Sequence, residues 1–159
     1  MAGGGSGGSA PKNLGAILLI EGRLTGAAAV MFAGAPASSP LNDAALMDAM
    51  LTEIAAACKL TVLSSSCESL EPYGLTMIKV LSESHVSIHT WPDIGAFSLD
   101  VYSCKDALNE WDILDVIRGN LRKAGVGGGE ACLDEGVTLR CRAITRGLPP
   151  QTPVRPRMV

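Results

Sequence analysis

The sequence predicts a two-layer α+β domain, an antiparallel sheet carrying helices on one face. Three observations lead there. Short β-patterned segments are interspersed with two stretches of helical periodicity. The connections around Gly74 and over Pro92–Gly95 are too short for crossovers, so the strands they join are antiparallel neighbours. Two helices cover one face of such a sheet and leave the other to be buried elsewhere. Sheets packing against each other in a homodimer are the expected solution.

The elements follow in order. Leu14–Glu21 is apolar enough for a buried strand. Residues 26–40 are rich in Ala, Gly, Ser and Pro and read as a loop. Asn42 or Asp43 can cap a helix running to about Lys59, where Leu46, Met50, Ile54 and Cys58 recur every four positions. Leu60–Ser65 reads as a strand, and Glu71-Pro72-Tyr73-Gly74 as a turn. Thr76–Leu81, Val86–Thr90 and Ala96–Ser103 read as three further strands. A second helix is expected over Leu108–Ala124, with Ile113, Ile117 and Leu121 on its apolar face and Gly125 closing it. Gly127–Gly129 read as a loop, and Val137–Ile144 alternates as a last strand. Residues 1–12, mostly Gly, Ser and Ala, read as a flexible tail, and the proline-rich residues 147–159 as a disordered one. Residues 13–146 are the expected domain.

At 159 residues, 47% of them hydrophobic but only 4% aromatic, the chain suits one domain with a mostly aliphatic core. A net charge of −3 without a basic stripe argues against nucleic acid as a partner. The longest apolar run near the start, Ala16–Ile20, is too short for a membrane span, and it lacks the basic start of a signal peptide. A cytoplasmic protein is expected. Five cysteines, an odd number without zinc-finger spacing, fit a reducing compartment.

Reactive side chains concentrate in Ser82-Glu83-Ser84-His85-Val86-Ser87-Ile88-His89-Thr90-Trp91-Pro92-Asp93. On a strand, His85 and His89 stand roughly 13 Å apart, too far to share a metal. No metal site is expected. Structural hydrogen bonding of one histidine, with the other at an edge, is one reading of the pair. A hydrolase triad is another, with Asp100 able to pair with His89, but Ser84 lacks the Gly-x-Ser-x-Gly elbow. On Ala96–Ser103, Phe97, Leu99 and Val101 point one way. Ser98, Asp100 and Tyr102 point the other, and with Cys104 they form a polar wall that ends in a thiol.

From Pro72 to Cys104, and more weakly over the flanking elements, the chain resembles the short bacterial and archaeal S-adenosylmethionine decarboxylases. These make a pyruvoyl cofactor from an internal serine. The resemblance implies that Ser84 attacks the Glu83 carbonyl, that the chain breaks between residues 83 and 84, and that a covalent pyruvoyl group remains on the new N-terminus. It implies processing roles for Glu83, Ser84, Thr76 and His89. Thr76 stands where the family has a serine, and His89 matches the family's processing histidine. Ser84 and His89 fall on opposite faces of an ideal strand, so the chain must turn at Ser84. The pyruvoyl ketone then forms a Schiff base with the substrate amine and acts as electron sink for decarboxylation. Cys104, twenty residues after Ser84, matches the family's proton donor, and Glu83 and Asp93 match positions that line the site. The family builds that site where two protomers of a homodimer meet.

The match has departures. No ring precedes the Pro-Tyr-Gly turn in Cys67–Glu71, Asp93 replaces a glutamate, Ile94 and Ala96 replace the family's aromatic or polar residues, and Lys105 replaces a glycine. The expected substrate is S-adenosylmethionine, decarboxylated to the aminopropyl donor for spermidine synthesis. The alternatives are decarboxylation of arginine or ornithine by the same cofactor, and an unprocessed, non-catalytic paralogue.

Overall fold

A computed structural model describes residues 13–105, 108–127 and 136–147. Both tails beyond this span, the loop residues Gly128 and Gly129, and Cys132 lie outside the described residues. The elements are β1 (Asn13–Leu24), α1 (Gly26–Ala33), α2 (Ala44–Ala57), β2 (Val62–Ser69), β3 (Leu75–Leu81), β4 (Ser84–Trp91), β5 (Ala96–Ser103), α3 (Glu110–Lys123) and β6 (Val137–Gly147). Six strands form one sheet in the order β2-β3-β4-β5-β1-β6. Every pairing is antiparallel. The α+β expectation holds, with the helices on one face of the sheet.

The alternation read from the sequence sets the layers. Leu75, Met77, Leu81, Val86, Ile88, Phe97, Leu99 and Val101 turn inward and are buried. They meet Met47, Met50, Leu51 and Ile54 of α2 and Ile113, Ile117 and Leu121 of α3. Gly22 lies opposite Phe97 in the β1–β5 register. A Cβ there would fall 2.1 Å from the Phe97 ring, so only glycine leaves room for this buried aromatic. Lys79 is the one charged residue buried among the described residues, and its ammonium pairs with Asp48 on α2.

The helix ends match their sequence signals. Asp43 accepts from the Ala45 and Leu46 N–H groups, and Asn109 accepts from Trp111. Gly125 at φ +83 closes α3, with Val126 N–H returning to the Leu121 carbonyl. At the end of α2 the same motif uses Lys59 at φ +55. Its neighbour Leu60 donates to the Ala55 carbonyl, which delays β2 to Val62 rather than Leu60. β2 runs on to Ser69, four residues beyond the expected Ser65, because β3 pairs with it as far as Ser69–Leu75.

The expectation of a loop over residues 26–40 is corrected. Gly26–Ala33 form α1, which seats Ala28 and Phe32 in the core, and two 3₁₀ turns follow at Pro36–Ser38 and Pro40–Asn42. Alanine, methionine and phenylalanine favour a helix once Phe32 has a core to enter, and this outweighs the flanking glycines and prolines. β6 also continues to Gly147, at the start of the expected tail.

The second sheet face carries no helix among the described residues. Leu19, Ile78, Val80, Trp91 and Ile144 are exposed there among polar side chains. No helix among the described residues is long and apolar enough to cross a membrane.

Candidate active site

The β3–β4 hairpin builds the segment where cleavage is expected. Leu81 pairs with Ser84, leaving Ser82 and Glu83 as a two-residue turn. Ser84 takes φ +147, a region that disfavours every residue with a Cβ and costs about 1–3 kcal/mol. The turn demanded at Ser84 is therefore present, and it is a strained one. On the other side of Ser84, β5 pairs through Ser103. The chain then bends so that the Cys104 N–H donates to the Glu83 carbonyl at 2.9 Å. The carbonyl that precedes Ser84 thus already faces a donor, the arrangement that stabilises an oxyanion. The Cys104 side chain is exposed at this bend.

Three groups hold the turn in place. The Glu83 carboxylate accepts from the Thr61 N–H at 2.9 Å and pairs with the Lys105 ammonium at 3.1 Å. Lys105 also donates to the Lys59 carbonyl at 2.6 Å. The Thr61 hydrogen bond first, and Lys105 second, bring the Glu83 carboxyl down from 4.5 to about 2. Lys105, a departure from the family pattern, thereby ties the α2–β2 connection to the turn.

The two histidines have separate partners. His89 is exposed on β4, and its Nδ1 is 2.9 Å from the Thr76 hydroxyl, directly across in the register. Trp91 lies beside its ring at 6.5 Å. The pairing of Thr76 with His89 is thus formed, but it stands five residues along β4 from Ser84, roughly 16 Å at the strand rise. Asp93 sits beyond the end of β4, farther still, and is exposed.

His85, unlike His89, touches Ser84. Its Nδ1 is 3.2 Å from Ser84 Oγ, and its Nε2 is 3.0 Å from Asp100 Oδ2. Ser87 donates to the other Asp100 oxygen. The Asp100–His89 pairing that a hydrolase triad would need is not formed: the register places Asp100 opposite Ser87 and beside His85, while His89 faces Ser98. Alternation alone put His85, Ser87 and His89 on the same face as Asp100. Choosing between the histidines needed the register. A shallow depression of about 190 Å³, lined by Leu19, Glu21, Arg140 and Arg142, opens elsewhere on the bare face and holds none of the expected site residues.

Residues 31–129 match the family described as S-adenosylmethionine decarboxylase, well over half of the chain. An S-adenosylmethionine decarboxylase proenzyme of Methanococcus aeolicus is 36% identical over 84 residues, 53% of this chain and 72% of that protein. The proenzyme of Brevibacillus brevis is 40% identical over 77 residues, 48% of this chain and 58% of its own length. The crystal structure of the adenosylmethionine decarboxylase from Aquifex aeolicus superposes with a TM-score of 0.61 at 22% identity, covering 91% of this chain and 99% of that one.

Proposed function

The chain belongs to the S-adenosylmethionine decarboxylase family, and we propose that it is a self-processing precursor that cleaves between Glu83 and Ser84 and then decarboxylates S-adenosylmethionine. The observation that carries this reading is the strained Ser84 beside a Glu83 carbonyl already bonded to the Cys104 N–H. Attack by a hydroxyl on its own preceding carbonyl is intramolecular, and strain at Ser84 that cleavage relieves favours the broken chain. The relatives' names favour adenosylmethionine over arginine or ornithine as substrate.

The residues present suit a serine-derived pyruvoyl group at position 84. Such a group would supply a ketone that takes up electrons as carbon dioxide leaves. The Cys104 thiol, exposed at the bend next to the cleavage point, is positioned to return a proton to the substrate carbon. Glu83, anchored by Thr61 and Lys105, keeps its end of the cleaved chain in the site.

The Thr76–His89 pair and Asp93 cannot serve Ser84 of their own chain over the length of β4. A homodimer pairing the bare sheet faces about a two-fold axis would bring one protomer's Thr76, His89 and Asp93 to its partner's Ser84. The exposed Ile78, Val80 and Trp91 on that face support this arrangement.

Intact mass under denaturing conditions tests the proposal. Two chains split between residues 83 and 84, the second with a keto terminus, are expected. Ser84→Ala should remain one chain and release no carbon dioxide from S-adenosylmethionine. A wild-type chain that stays whole on long incubation would overturn the reading in favour of a non-catalytic protein.

A further inference from the structure

We propose that His85, oriented by Asp100, is the base that activates Ser84 in self-cleavage, and that His89 of the same chain does not serve this step. The inference rests on the self-processing reading above and assigns a residue to its first step.

The hydrogen bonds select one tautomer. A carboxylate can only accept, so the contact from His85 Nε2 to Asp100 Oδ2 places the imidazole proton on Nε2. Nδ1 then presents its lone pair to the Ser84 hydroxyl at 3.2 Å. Ser87 occupies the second Asp100 oxygen, which leaves the carboxylate turned towards the histidine. Tyr102 meets the imidazole edge-on, with ring centres 5.8 Å apart, and limits its rotation. A base held by a carboxylate against a hydroxyl is the arrangement that activates a serine nucleophile. Here the acyl group attacked is the serine's own preceding peptide.

The step balances without a further reactant. Ser84 Oγ–H gives its proton to His85 Nδ1 as Oγ bonds to the Glu83 carbonyl carbon. The resulting oxyanion takes the hydrogen bond from the Cys104 N–H that the ground-state carbonyl already accepts. The carbon–nitrogen bond then breaks, and the imidazolium returns its proton to the Ser84 nitrogen. The products are an ester and a free amine, an isomer of the starting peptide. His89 lies roughly 16 Å along the strand and is bonded to Thr76, so within one chain it is out of reach of this hydroxyl.

The test follows freshly made full-length chain by intact mass, with and without hydroxylamine, which cleaves esters but not ordinary peptides. Wild type should split faster with hydroxylamine, yielding some second chains that begin with an unmodified Ser84. His85→Ala should slow cleavage about 10²-fold or more, accumulate no hydroxylamine-sensitive ester, and regain part of its rate with added imidazole. Asp100→Asn keeps the side-chain shape but loses the charge, and should slow ester formation about tenfold or more. Wild-type cleavage rates in either variant, or a hydroxylamine-sensitive ester accumulating in His85→Ala, would overturn the role of His85. A wild-type chain that never cleaves would instead overturn the self-processing reading itself.

Discussion

Ser84 sits at the only described non-glycine position besides Lys59 with positive φ, and its surroundings explain why that conformation persists. Cross-strand pairing with Leu81 and Ser103 holds it on both sides. Glu83 on the preceding residue is tethered through Thr61 and Lys105. That tether has a pH dependence. A carboxyl lowered from 4.5 to about 2 adds stability that is complete above its unfolded value and is lost as pH falls through about 2. In uncleavable Ser84→Ala protein, Glu83→Gln should therefore lower stability by a constant amount above pH 5, and the difference should shrink towards pH 2. Acid unfolding curves measure this, and a gap that persists undiminished at pH 2 would contradict the tether. In the proposed mechanism the backbone and the thiol of Cys104 have separate tasks. Cys104→Ser keeps the N–H on Glu83, so cleavage should proceed while carbon dioxide release falls about 10²-fold with little change in KM. Equal loss of both activities would show that the side chain serves processing too.

Within the elements, close packing limits what the sheet tolerates. The Phe97 ring fills the space above Gly22, and both residues are enclosed by β1, β5 and the helices. Gly22→Ala should lower stability by about 1–3 kcal/mol through overpacking, read as an earlier midpoint in denaturant. A variant as stable as wild type would mean that the ring has room to move. The strand faces were legible from alternation, because inward Phe97, Leu99 and Val101 and outward Ser98, Asp100 and Tyr102 obey the two-residue period. α1 was not legible, because its helix depends on Phe32 finding the core rather than on a periodic stripe.

On the scale of the whole molecule, one sheet face is packed and the other is left uncovered by the described residues. Leu19, Ile78, Val80, Trp91 and Ile144 expose apolar surface that a sheet-on-sheet dimer would bury. Sedimentation equilibrium should give twice the chain mass of 16.4 kDa, and Val80→Asp should shift the population towards monomers and weaken decarboxylation. A monomeric wild type with full activity would remove the two-protomer site. The separation of Thr76–His89 from Ser84 belongs to this scale as well, since in the proposed dimer a second copy would bring the two sets together.

The sequence by itself determined the α+β class, the candidates Asn42 and Asp43 for the start of α2, Gly125 at the end of α3, the sidedness of the central strands, and the identity of Ser84, Thr76, His89 and Cys104 as the residues to watch. These are matters of spacing over a few positions and of motif, which a linear chain carries directly. Only the tertiary structure decided that His85 rather than His89 meets Ser84, that Asp100 turns to His85, that the Cys104 N–H reaches the Glu83 carbonyl, and that Lys105 ties down Glu83. Each of these contacts depends on strand register or on the path of a bend. Register is set jointly by turn lengths and core packing across the whole sheet, so no local stretch of sequence specifies it.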